Sequence, residues 1–138
     1  MQRSIIAIVA GYFYIGLLSV GADAALRAIV PSAFPDGAMV TDAAILLAMI
    51  AYVAFFATTG SYITARLAPA APMRHALLLG VLGLVTQIGM LVAFAWAQAP
   101  AWYHLLNLIL VMPYAFIGGA LREREVARAA NAIPALRA

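Results

Sequence analysis

The sequence predicts an all-α integral membrane protein: an antiparallel up-down bundle of four transmembrane helices, N-in/C-in, forming one domain over residues 1–138. Three observations carry this. Of 138 residues, 67% are hydrophobic and 9% charged, whereas a soluble domain carries about 25% charged and 45–50% apolar residues. The apolar residues gather into four runs, at about 4–29, 42–65, 76–98 and 102–121. The links between runs are short and rich in turn-forming residues. Lipid is the solvent that accommodates so much apolar surface with so few charges.

Each run reaches the roughly 20 residues needed to cross about 30 Å of hydrocarbon. Backbone groups inside a bilayer must be satisfied within their own segment, so the runs are expected as helices. The first, opened by Arg3, also carries signal-peptide features: an apolar core at Ile5–Val20 and a small-x-small site at Ala22-Asp23-Ala24. It is read here as a retained anchor. The link Pro31-Ser32-Ala33-Phe34-Pro35-Asp36-Gly37 is turn chemistry, and Thr41 or Asp42 can N-cap the second helix. Leu67–Met73 and Ala99-Pro100-Ala101 are tighter links still, which makes sequence neighbours antiparallel neighbours.

Orientation follows from arginine. Arg3, Arg66, Arg74, Arg122, Arg124, Arg128 and Arg137 fall on one side and Arg27 on the other. Positive residues mark the cytoplasmic face, so both termini are expected in the cytoplasm, in a bacterial inner (plasma) membrane. Trp102 and Tyr103 then open the fourth helix at the outer interface. The segment 122–138 reads as a cytoplasmic helical tail with Glu125–Arg128 and related pairs, ended by Asn131 and Pro134. Thr59-Gly60-Ser61-Tyr62 and Ile117-Gly118-Gly119-Ala120 echo one another as small-residue patches on the even-numbered helices.

Ionisable residues at membrane depth are costly and therefore candidates for function. Asp23 and Arg27, one helical turn apart, are expected to pair locally, with Arg27 reaching for the interface. With Asp42, His104 and Asn107 they form a candidate outer polar pocket beneath Trp102 and Tyr103. A lone interfacial histidine, however, most simply reads as a satisfied surface group. Helical spacing puts Tyr12, Gly16 and Ser19 on the stripe that holds Asp23. It puts Tyr52 and Thr59 on one face of the second helix, Gly80, Gly83 and Gln87 on one side of the third, and His104, Asn107, Tyr114 and Gly118 on one stripe of the fourth. Gly60 joins these as an intramembrane polar or packing position. Small residues that allow close approach, and polar residues that bond between helices, are what membrane packing alone asks for.

Cysteine is absent, which excludes disulfides and thiolate ligands. The two histidines and scattered acids show no metal-ligand spacing, so no metal and no cofactor are expected. No catalytic motif is present, and no enzyme activity is expected. The arginines flank apolar runs and build no basic face, so nucleic acid is not an expected partner. Size and helix count look like the small multidrug resistance transporters, yet their membrane-embedded Glu in the first helix is missing; four-helix quinone-reducing redox proteins need cysteine pairs. The stretch Gly60–Pro69 followed by Pro72-Met73-Arg74-His75-Ala76 looks similar to small bacterial membrane proteins, over one loop region and with no activity implied.

Four helices of this length are expected to leave no room for a conduit within one chain. An oligomer or docking onto a larger membrane complex is therefore expected. The lack of catalytic or deep charged residues, with small-residue faces on several helices, makes an accessory or structural subunit of such a homo- or hetero-oligomeric membrane complex the first functional expectation. A small oligomeric transporter or channel for a solute or ion, with Asp23, Gln87 and Asn107 along its path, is the alternative. A protein that binds lipid or a hydrophobic cofactor is the third.

Overall fold

The computed structural model describes residues 2–35 and 37–135, with side chains through residue 132. Asp36 and Arg137, which figure in the turn and orientation readings, lie outside the described residues. Four helices make up the fold: α1 (Gln2–Ile29), α2 (Ala43–Leu67), α3 (Pro72–Met90) and α4 (Ala101–Ala135). No strand occurs among the described residues. All four helices are long and apolar enough to cross a membrane, α3 doing so with its continuation to Gln98.

The ends of the helices have local causes. The Asp42 carboxylate accepts from the backbone N–H groups of Ala44 (2.8 Å) and Ile45 (3.2 Å), so it caps α2. Helix α3 starts at Pro72, four residues before the expected 76, because proline is pre-organised for a first helical turn and lacks only an N–H that would have no partner there. The preceding Ala71 sits in the left-handed region, at φ 46°. Past Met90 the chain continues as a π turn over Leu91–Ala95 and a 3-10 turn over Trp96–Gln98. Helix α4 runs through Asn131 to Ala135 rather than stopping at Asn131. In the tail, Glu125 pairs with Arg122 at 2.8 Å, one turn before it rather than after, and also accepts from the Tyr62 hydroxyl at 2.8 Å.

Apart from Leu46, Leu79 and Ile50, most of the buried residues are small. Ala7, Ala65, Ala76, Ala115, Ser61 and Thr64 are buried, whereas Val92 and Ile29 are 82% and 76% exposed. A protein stable in water arranges these the other way round. Helices in lipid gain nothing from hiding leucine from hydrocarbon, so they meet through residues that let backbones approach.

Two crossings repeat one design. On α1, Ala7 and Gly11 meet Gly60 and Thr64 of α2, and Thr64 Oγ1 donates to the Ala7 carbonyl at 3.1 Å. On α3, Gly80 and Ala76 meet Ala115 and Gly119 of α4: a Cβ at Gly80 would lie 2.7 Å from that of Ala115, and one at Gly119 would lie 3.1 Å from that of Ala76. Each helix contributes two small residues four apart. The two pairs are joined through α2 and α4, which pack extensively on one another. There the two segments that echo one another in sequence meet. A Cβ on Gly118 would stand 2.5 Å from the Thr58 carbonyl oxygen and 2.7 Å from the Tyr62 nitrogen. Helix α1 touches α3 less extensively.

Candidate functional site

These crossings close one end of the bundle and leave the other end open. Between the four helices lie two cavities, an inner one of about 250 Å³ and an outer one of about 380 Å³. Val53, Gln87 and Asn107 line both, so the two adjoin at a shared wall. A single chain thus holds space between its helices. Glycine makes the space: a Cβ at Gly16 would meet nothing within 4 Å, and one at Gly83 only Val111, at 3.8 Å.

The inner cavity ends against Ser61, Leu79 and Ala115, beside the helix crossings. Its walls draw Tyr12 and Gly16 from α1, Ala57 from α2, Gly80, Gly83 and Thr86 from α3, and Val111 and Tyr114 from α4. The Tyr12 hydroxyl donates to Thr86 Oγ1 at 3.1 Å, and Thr86 donates onward to the Leu82 carbonyl at 2.9 Å. Tyr12 and Thr86 thus satisfy one another, and most of the lining surface is apolar.

Outward the lining becomes polar. Ser19, Asp23 and Arg27 enter from α1, Gln98 from the end of α3, and Tyr103 and His104 from α4. The Tyr52 hydroxyl donates to Asp23 Oδ1. The Arg27 guanidinium stands over the Phe34 ring, 4.5 Å from its centroid, a cation–π contact. Among the described residues the ion pair within 4.0 Å is Arg122–Glu125, so the expected Asp23–Arg27 pair is not formed. A tyrosine hydroxyl and an aromatic face serve the two charges separately.

His104 departs from its reading as a surface group. It is 7% exposed, its ring stacks on Trp96 (5.6 Å, 22°), and its Nε2 is buried without a hydrogen-bond partner. Such an atom carries a desolvation cost of about 1–3 kcal/mol unless something bonds to it. Asn107 is equally buried and donates through Nδ2 to the Tyr103 carbonyl at 3.0 Å. Over the outer chamber lies the α1–α2 link, held by the Val40 N–H donating to the Gln98 carbonyl (2.9 Å) and by a small cluster of Val40, Leu46 and Ala99.

Of the five candidates for an outer pocket, the structure brings together Asp23, Arg27, His104 and Asn107. Asp42 is not among them, because its carboxylate is spent on the α2 cap. Ser19 and Gln87 join the outer group, and Tyr12, Gly16, Gly80, Gly83, Gln87 and Tyr114 share the inner cavity. Thr59 lies outside both: its Oγ1 donates to the Phe55 carbonyl at 2.7 Å and lies 3.3 Å from the Tyr14 hydroxyl. Gly60 and Gly118 belong to the crossings. The contact between Tyr52 and Asp23, and the lining role of Thr86, had no local sequence signal. Among the described residues, no three His, Asp or Glu side chains are grouped to hold a metal ion. Comparison with known protein families, with curated proteins and with solved structures finds no match for this chain.

Proposed function

We propose that this chain is a multi-pass membrane protein that binds an amphipathic small molecule inside its own bundle. The observation that carries the reading is the polarity gradient along the joined cavities: aliphatic at the closed end, amide-bearing at Gln87 and Asn107, and charged at Asp23 and Arg27. A molecule with an apolar chain and a polar head matches that order. Transport would require the closed end to open at Gly11–Thr64 and Gly118–Ser61, where the helices meet most closely.

The remaining parts of the proposal concern placement. The proximity of Ala7 to Thr64 and of Asp23 to Tyr52 supports an antiparallel α1–α2 hairpin, and hence the up-down topology. The arginine distribution supports N-in/C-in in a bacterial inner membrane. The charged chamber would then face away from the cytoplasm. Association into an oligomer remains part of the reading, through the apolar outer faces.

The experiment is to isolate the chain from its native membrane in a polymer disc and analyse its organic extract by mass spectrometry. A stoichiometric amphiphile is expected. Gly83→Phe, whose Cβ would meet only the Val111 side chain at 3.8 Å, should fill the inner cavity, retain the thermal midpoint and lose at least nine-tenths of that molecule. Equal retention in the variant rejects the reading.

A further inference from the structure

Resting on that reading, we infer that the bound molecule is a single-chain zwitterionic amphiphile, with its ammonium next to the chain and its anionic group outermost. The argument starts from the two charges of α1. Asp23 and Arg27 both line the outer cavity, yet they do not pair with each other. Four residues of helix place them about 6 Å apart along the axis. The closed end of the cavity lies toward Ser61 and Leu79, so Asp23 is the deeper charge and Arg27 the nearer to the open end. A head seated above a chain in the inner cavity therefore meets a carboxylate first and a guanidinium second.

Electrostatic complementarity asks for the reverse order in the ligand: cation first, anion beyond it. A purely cationic head would leave Arg27 facing like charge, and a purely anionic head would do the same to Asp23. A head with the anion next to the chain, as in phosphocholine amphiphiles, presents both groups to the wrong partner. The other contacts fit the proposed order. Tyr52 uses Asp23 Oδ1, leaving Oδ2 to accept from an ammonium. On α3 the inner cavity extends from Leu79 to Gln87, about 12 Å of helix, which accommodates one alkyl chain of medium length.

The test uses the full chain in lipid nanodiscs and radiolabelled dodecyl probes below their micellar concentrations, with empty nanodiscs subtracted. N-dodecyl-β-alanine, whose ammonium adjoins the chain and whose carboxylate is outermost, should bind saturably at one per chain. Dodecylphosphocholine, dodecylamine and laurate should each bind at least tenfold more weakly, and β-alanine without a chain should not bind. Asp23→Asn and Arg27→Gln should each weaken N-dodecyl-β-alanine about tenfold. The exchange Asp23→Arg with Arg27→Asp should transfer preference to dodecylphosphocholine. Equal binding of all four dodecyl compounds, or equal binding of free β-alanine, overturns the dipolar-head inference, the first while leaving amphiphile binding intact. Absence of saturable binding by any dodecyl compound overturns both.

Discussion

The closed and open ends of this bundle use the same residue, glycine, for opposite purposes. At the closed end, Gly11, Gly60, Gly80, Gly118 and Gly119 stand where a Cβ would run into the neighbouring helix. Toward the open end, Gly16 and Gly83 stand where a Cβ would meet almost nothing. Removing a side chain at the first group brings helices together; removing one at the second leaves a void between helices that are already held apart. Small residues in a membrane helix are therefore ambiguous until their partners are known. The closed end fixes the spacing of the four helices, and the open end inherits that spacing as space.

The largest effect should come from filling each kind of glycine. Gly118→Leu would push a side chain into the Thr58 carbonyl and the Tyr62 nitrogen, which belong to backbone and cannot rotate away. Overpacking of this kind costs about 1–3 kcal/mol where side chains yield, and more where they do not. Gly16→Leu should stay within about 0.5 kcal/mol of the parent. Unfolding of the two variants by denaturing detergent, followed by circular dichroism, measures the difference. Equal stability would erase the distinction between the two ends.

Next in size is a change at the open end that removes a bond rather than adding bulk. Tyr52→Phe takes the hydroxyl from Asp23 and leaves a half-buried carboxylate without that donor. Hydrogen bonds to charged groups contribute about 1.5–3 kcal/mol, and a loss in that range is expected in the same assay. An unchanged midpoint would show that water or lipid already serves Asp23, making the outer chamber wetter than its walls suggest.

The smallest effect should be a gain. Ala71, at the closed end, holds φ at 46° in the short link before α3. A left-handed conformation costs an L-residue about 1–2 kcal/mol and glycine little. Ala71→Gly should stabilise the protein by about 1 kcal/mol, less the added freedom of the unfolded link. A loss of stability would mean that the link is held by its side chain rather than strained by it.

Much of the fold was legible because lipid imposes it. Run lengths set the spans, and proline and glycine set the links. The same stripes that suggested packing also marked the cavity wall, since Tyr12, Gly83, Gln87 and Asn107 all face inward. What could not be read was the division of labour within those stripes. Nothing local distinguishes Gly60, which meets Ile15, from Gly16, which meets nothing. The Asp23–Arg27 spacing favoured a pair, but Tyr52, 29 residues away in sequence, and the face of Phe34 supplied competing partners. Asp42 was drawn to two roles, and two backbone N–H groups one turn away settled the choice.

The π turn at Leu91–Ala95 has a consequence for how this site could have arisen. An α-helix turns about 100° per residue, so a π turn amounts to one residue inserted into an otherwise regular span. Deleting one residue there would leave α3 and its continuation at 26 of their 27 residues, ample to cross a bilayer. It would also swing Trp96 away from the face of His104. A single codon thus separates a plain membrane span from one that sets Trp96 against the histidine of the chamber wall, and such an insertion costs the span nothing in length.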